Sequence, residues 1–139
     1  METLRKSSMV PMGLMHTATE DTEYQGYSFP NRTVVLWNIY HVHHDPAYWG
    51  DPENFRPERF LNPDGTVRKE ERLIPFFTGK RSCPAESLAQ NEFFLFFTGI
   101  LQQFEFTLEA NATRPYLGQR QGFILKPPEH KLVVVERAC

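Results

Sequence analysis

Pro75-Phe76-Phe77-Thr78-Gly79-Lys80-Arg81-Ser82-Cys83-Pro84-Ala85 is the stretch on which the fold turns. It presents a thiol on a tight turn just before a helix start. Gly79 lets the turn adopt a positive φ. Pro84 suits a first helical turn, and Glu86 complements the positive end of the helix dipole. Backbone N–H groups there favour an anion, and Lys80 and Arg81 add positive charge, so the position favours a thiolate at Cys83. A lone cysteine is most often a small buried hydrophobe. The loop leaves three roles open: structural residue, nucleophile or metal ligand.

Downstream, residues 85–103 form the strongest helical pattern. They are apolar nearly all round at Phe93 to Phe97, which predicts a buried central helix. Phe104, Phe106 and Leu108 then alternate with polar residues, as in a half-exposed strand. Residues 122–125 and 131–135, with Pro127-Pro128 between them, read as a closing β-hairpin. Upstream, residues 41–73 carry Asp45-Pro46, Asp51-Pro52, Arg56-Pro57 and Asn62-Pro63, each of which pushes the residue before Pro away from helix. The expectation is a long coil with short turns, anchored by aromatics such as Phe55 and Phe60. Thr33 to Tyr40 is continuously apolar and β-rich, which predicts a strand buried on both faces. Tyr24 to Phe29 is strand-like with a turn at Gly26. Glu2, Leu4 and Arg5 read as helix with no capping residue before them except Met1, so truncation at the N-terminus is expected. The class is α+β.

Composition narrows the function. The chain has 139 residues, a formal net charge of -2 and 12 Phe, eight of them between Phe76 and Phe106. The slight acidity argues against a nucleic-acid partner, which needs a basic surplus. Two cysteines, one of them the terminal Cys139, make no disulfide scaffold. No apolar run reaches the ~18 residues of a membrane-spanning helix, and Met1 to Lys6 is not a signal peptide. The sequons at Asn31 and Asn111 are therefore expected to stay unmodified.

Three motifs stand in a fixed order. Phe76, Gly79, Arg81 and Cys83 form F-x-x-G-x-R-x-C. Glu2-Thr3-Leu4-Arg5 forms E-x-x-R. Residues 49–60 read W-G-D-P-E-N-F-R-P-E-R-F. Together they resemble the haem loop, the E-x-x-R helix and the W-x-D-P-x-x-F-x-P-E-R-F segment of the cytochrome P450 haem-thiolate monooxygenases, in a form similar to microsomal animal members. The resemblance covers the whole chain, residues 1–139. It implies a partial domain: the end of the E-x-x-R helix, small β-sheets, a long meander coil, the cysteine loop, a long buried helix and a C-terminal β-hairpin. It also implies that the oxygen-binding helix and the N-terminal membrane anchor are absent.

Carried over residue by residue, the resemblance makes Cys83 the axial thiolate on the iron of haem b (iron protoporphyrin IX). Phe76 would shield the sulfur, and Arg81 and His16 would pair with the propionates. Pro75, Gly79, Pro84, Ala85 and Ala89 would lie against the porphyrin. Ala85 departs from the family's usual Gly by one methyl, with weaker haem retention the expected cost. Glu2, Arg5 and Arg59 would form a structural ion network. Met9, Val10, Met12, Gly13 and Leu14, with Phe123 and Ile124, would touch a lipophilic substrate or serve as ordinary core. The parent protein would insert one atom of O2 into that substrate, with electrons from NADPH through a flavoprotein reductase, at the cytosolic face of the endoplasmic reticulum membrane. Lys80, Arg81 and the run Arg68 to Arg72 would offer a docking face to the reductase, although the run reads first as a solvated mixed-charge surface. The fragment alone is expected to be inactive and to expose an apolar patch.

Two other readings stay open. One is a non-enzymatic fragment from a partial gene model or pseudogene. The other is a non-haem metal or cysteine-dependent hydrolase, using Cys83 with a histidine or the cluster His41, His43, His44 and Asp45. A metal site needs three or four convergent ligands, so that cluster reads first as a polar loop leaving the preceding strand.

Overall fold

The computed structural model describes residues 1–113 and 122–137; Cys139 lies outside them. The chain divides into two compact units. One comprises residues 1–75 and 122–126, the other 76–113 and 127–137.

The first unit opens with helix α1, Glu2–Ser7. Ser8 closes it in the left-handed region (φ 35°), and its amide donates to the Leu4 carbonyl (3.1 Å). Three antiparallel pairings make up all the named strands among the described residues. In this unit, β1 (His16–Thr17) pairs β4 (Val34–Val35), and β2 (Thr22–Tyr24) pairs β3 (Tyr27–Phe29). The turn between β2 and β3 has positive φ at both Gln25 (50°) and Gly26 (81°), a combination that matches the twist of a two-residue hairpin. The turn expected at Gly26 is there, and it joins two strands.

The strand expected over residues 33–40 is corrected. Only Val34 and Val35 are extended, and both are exposed. Ile39–His44 is instead a helix, α2, started by the Asn38 side chain, whose oxygen accepts from the His41 amide (3.0 Å). Asp45 caps the next helix, α3 (Pro46–Trp49), in the same way through the Ala47 amide (2.9 Å). Capping by Asn and Asp, with Pro at the first helical position, outweighs β-propensity here. The histidine stretch is therefore helical, and His43 and His44 are buried. A single 3-10 turn follows at Pro57–Phe60, and Leu61 bridges Val67 around the Asp64-Gly65 turn.

The apolar core of this unit is small. Ile39, Trp49 and Phe60 are the buried hydrophobes among the described residues, with the Trp49 and Phe60 rings 6.0 Å apart. Phe60 thus anchors the coil as expected, but Phe55 is exposed. Polar groups fill the rest of the interior: Glu2, Arg5, Ser8, His43, His44 and Glu70. Glu70 shows that residues 68–72 are not a uniformly solvated run. Its carboxylate accepts from Tyr48 Oη (2.5 Å) and Arg68 (3.0 Å), while Arg72 reaches Asp45 (3.0 Å).

In the second unit, helix α4 spans Glu86–Gln103, one residue short of the predicted start. Strand β5 (Phe104–Thr107) follows and pairs antiparallel with β6 (Val133–Glu136), Phe104 opposite Glu136. The closing hairpin is thereby corrected: residues 133–136 pair with 104–107, not with 122–125. Leu125 instead donates its amide to the Met9 carbonyl within the first unit (2.8 Å). The buried-helix expectation is corrected as well, since no residue of α4 is buried. Leu95 and Phe96 are 67% and 69% exposed. The helix is apolar on all sides, yet the described residues leave much of that surface uncovered.

Such a face drives association in water. We expect the 139-residue chain to self-associate in light scattering at micromolar concentration. Leu95→Lys with Phe96→Lys should lower the mean mass while leaving helix content by circular dichroism unchanged. A monodisperse monomer of the unaltered chain would contradict this.

Candidate functional site

The cysteine loop lies in the second unit and is built by two backbone contacts. The Cys83 amide donates to the Phe76 carbonyl (2.9 Å), and the Ser82 amide donates to the Gly79 carbonyl (3.1 Å). Gly79 sits at φ 81°, where a side chain is strained although nothing stands within 4 Å of an added Cβ. The glycine requirement is therefore conformational rather than one of space. Phe77 also takes a positive φ (67°), so the loop carries a second unusual residue.

Cys83 is a free thiol and half-buried. It stands two residues before Ala85, the N-cap of α4. Ala85 supplies no side-chain cap, so the first amides of α4 stay available at this end. Phe76 and Ala89 are half-buried, while Gly79, Arg81, Pro84 and Ala85 are exposed. Arg81 makes no ion pair among the described residues. The loop and the start of α4 thus bring together Phe76, Gly79, Arg81, Cys83, Pro84, Ala85 and Ala89.

The remaining predicted residues belong to the first unit. Pro75 is its last residue before the loop. His16 lies in β1, with its ring edge-on to Trp37 at 6.1 Å. Val10 is half-buried, Gly13 is buried at φ 63°, and Met9, Met12, Leu14, Phe123 and Ile124 are exposed. The Leu125–Met9 hydrogen bond brings the two predicted substrate segments side by side.

The ion network is also in this unit, and it is fuller than its three predicted members. Arg5 is 0% exposed. Its Nε and Nη2 donate to the two Glu2 carboxylate oxygens (2.7 and 2.8 Å), Nη1 donates to the His43 carbonyl (2.7 Å) and Nη2 to the Pro52 carbonyl (2.9 Å). The Arg56 amide and Arg59 Nε converge on Glu2 Oε1 (3.0 and 3.2 Å). Arg59 also donates to the Trp49 and Asp51 carbonyls. Both guanidinium groups face the Trp49 ring, at 5.2 and 5.8 Å from its centroid. Burial pushes the Glu2 carboxyl up. The hydrogen bonds from Arg5 and the Arg56 amide, with the charges of Arg5 and Arg59, outweigh that and hold it below the usual range.

Sequence reasoning missed three participants: Trp49 as the ring under both arginines, Ser8 and His43. The Asn38 and Asp45 caps were the available signal, since they place His43 on a helix. Burial, helped by the neighbouring charges of His44 and Arg5, lowers the His43 imidazole to about 4. Among the described residues, no three His, Cys, Asp or Glu side chains converge as metal ligands. Of that cluster, His43 and His44 are buried in α2, His41 is exposed on it and Asp45 follows its end.

The family model described as Cytochrome P450 matches residues 1–134. Human Cytochrome P450 2U1 is 41% identical over 99% of this chain and 25% of its own length. Farnesoate epoxidase from Bombyx mori is 40% identical over 99% of this chain and 28% of its own. A solved zebrafish cytochrome P450 structure with abiraterone superposes with a TM-score of 0.86 at 39% identity, covering 98% of this chain and 31% of that one. The chain spans about a quarter of the length of the curated relatives it matches.

Two outcomes follow from the network. Arg5→Ala strands a buried carboxylate, a loss that typically costs about 3–5 kcal/mol. It should abolish cooperative thermal melting by circular dichroism. Lys6→Ala, which removes an exposed pair with Glu53, should cost less than about 1 kcal/mol. The pH dependence has one sign. Glu2 and His43 both titrate lower folded than unfolded, so their stabilisation is complete near neutrality. The His43 share drains away as pH falls from the free-imidazole range toward about 4, and the Glu2 share only below the free-carboxylate range. The melting temperature should drop over that interval, and a flat profile would contradict the assignment. The motif order, the loop geometry, the fold likeness and the matched family model lead to one conclusion: this chain belongs to the cytochrome P450 family.

Proposed function

We propose that the chain is the haem-ligating portion of a monooxygenase, with Cys83 as the axial thiolate. One observation carries the reading: a free, half-buried thiol on the Gly79 turn, its amide held by the Phe76 carbonyl, two residues before the N-cap of α4. The donor set suits an iron porphyrin. Among the described residues no group of three or more His, Cys, Asp or Glu side chains could hold a bare metal ion, and a single soft thiolate suits an iron whose other positions a macrocycle would fill. Arg81, unpaired among the described residues, is available for a propionate.

The residues then take distinct tasks. Cys83 would hold the haem iron through its thiolate, and haem b, when bound, would supply the O2 chemistry, for which thiolate ligation favours O–O cleavage. Phe76 keeps water from the sulfur, which tunes the iron's potential. By the family resemblance, Arg81 and His16 would each pair with a propionate, and Pro75, Gly79, Pro84, Ala85 and Ala89 would lie against the porphyrin. Met9, Val10, Gly13 and Leu14, with Phe123 and Ile124, offer an apolar lining to a lipophilic substrate. The whole protein would convert RH, O2, two electrons and two protons to ROH and water. NADPH would supply the electrons through a flavoprotein reductase at the cytosolic face of the endoplasmic reticulum. Among the described residues no helix is long and apolar enough to cross a membrane. These 139 residues alone, a quarter of the length of their relatives, hold haem without turning over substrate.

The chain loaded with haem, reduced and exposed to CO should show the red-shifted Soret band of thiolate ligation. Cys83→Ala should lose that band, and Arg81→Ala should release haem faster to apomyoglobin. Stoichiometric zinc uptake with no haem binding would sink the reading, and turnover with a reductase would overturn the claim of inactivity.

A further inference from the structure

His43 is fully buried in α2 and bonded on both ring nitrogens. The Ile74 amide donates to Nε2 (3.0 Å). An amide can only donate, so Nε2 carries no proton and the neutral ring holds its proton on Nδ1. That proton points to Ser8 Oγ (2.9 Å), and the Ser8 hydroxyl in turn donates to the Arg5 carbonyl (2.7 Å). Every donor and acceptor along this path is used once. The path runs from the end of α1, through α2, to Ile74.

Ile74 occupies a particular place in the chain. Pro75 follows it and has no N–H, so the Ile74 amide is the last backbone donor before Phe76. Phe76 is the residue whose carbonyl takes the Cys83 amide. We propose that His43 is a positioning residue: as the Nδ1-protonated neutral tautomer it receives the Ile74 amide and fixes the point from which the chain departs into the cysteine loop. The ring nitrogens meet Ser8, at the end of α1, and the Ile74 amide, and the charges that bear on the ring are Arg5 in α1 and His44 of its own helix. Arg5 and His44 both disfavour a second proton there. A second proton would also set an Nε2–H against the Ile74 N–H. The inference adds to the haem-thiolate reading but is tested without haem, so either can fail alone.

Two substitutions separate the two ends of the ring. In His43→Gln the amide oxygen reaches the Nε2 position and can accept from Ile74, while the Ser8 contact is lost. In His43→Asn the amide nitrogen reaches the Nδ1 position and can donate to Ser8, while Ile74 loses its acceptor. Hydrogen–deuterium exchange with fragment-resolved mass spectrometry reads the Ile74 amide, and peptide-resolved maleimide labelling reads Cys83. We expect His43→Asn to lower Ile74 protection by about tenfold or more, the loss of one buried hydrogen bond, and to speed Cys83 labelling. His43→Gln should leave both nearer the unaltered chain. Equal effects of the two variants, or no change at Ile74, would overturn the proposal. Should neither variant fold, the unaltered chain decides. Ile74 protection, corrected for intrinsic exchange, should persist at pH 5 and fail near pH 4. Loss already in the free-imidazole range would overturn the assignment.

Discussion

The buried pair of Glu2 and Arg5 is the constraint on which the first unit depends. Its interior holds few hydrophobes, so burial of apolar area does little to select one arrangement. A guanidinium with no exposed surface does far more. It must place its donors, and here they are met by the Glu2 carboxylate and by the carbonyls of His43 and Pro52. Any packing that moved one of these segments would leave a charge or a carbonyl unsatisfied in a poorly solvated place, a penalty of several kcal/mol. Segments 38 to 49 residues distant from Arg5 are thereby tied to one side chain. Arg59 repeats the device from the other side, and Trp49 lies beside both cations.

The cysteine loop follows another logic. Its shape comes from local rules: a glycine in the left-handed region, a short backbone contact across the turn, and a helix whose N-cap stands two residues after the thiol. Such a loop needs little long-range information to form, which is why four fixed residues suffice to specify it. The segment that leads into it is held, within the first unit, by a hydrogen bond. His43 accepts the Ile74 amide, and the chain then passes through Pro75 into the loop. One buried imidazole thus links the cation-centred interior to the segment bearing the thiol, and its neutral state is what lets it accept.

The motifs were legible because each is a set of residue types needed at fixed spacing by local geometry or ligation. Gly79 and Cys83 could be read this way, whereas the Glu2, Arg5, Arg59 set came from the family resemblance, since Arg59 lies far along the chain from Glu2. The turn at Gly26 and the strand at 104–107 were legible for the same reason. The strand expected over residues 33–40 holds only at Val34–Val35, because Asn38 caps a helix that takes Ile39 and Tyr40 and continues through the histidines expected as coil. Residues 131–135 were misread because a hairpin partner close in sequence was preferred to Phe104–Thr107, which sequence separation alone cannot select. The expected burial of Phe93–Phe97 assumed neighbours that the described residues do not supply.

By itself, then, the sequence determined the chemistry: a thiol on a constrained turn, the cations beside it, and a carboxylate–guanidinium set. These depend on residue type and short spacing, which a linear chain records directly. Only the tertiary structure decided which strand pairs with β5, how many carbonyls converge on Arg5, and that His43 is a buried two-sided connector rather than a loop histidine. Those outcomes depend on which distant groups are brought within hydrogen-bond reach and cut off from water. That is a property of the folded arrangement, and no local pattern encodes it.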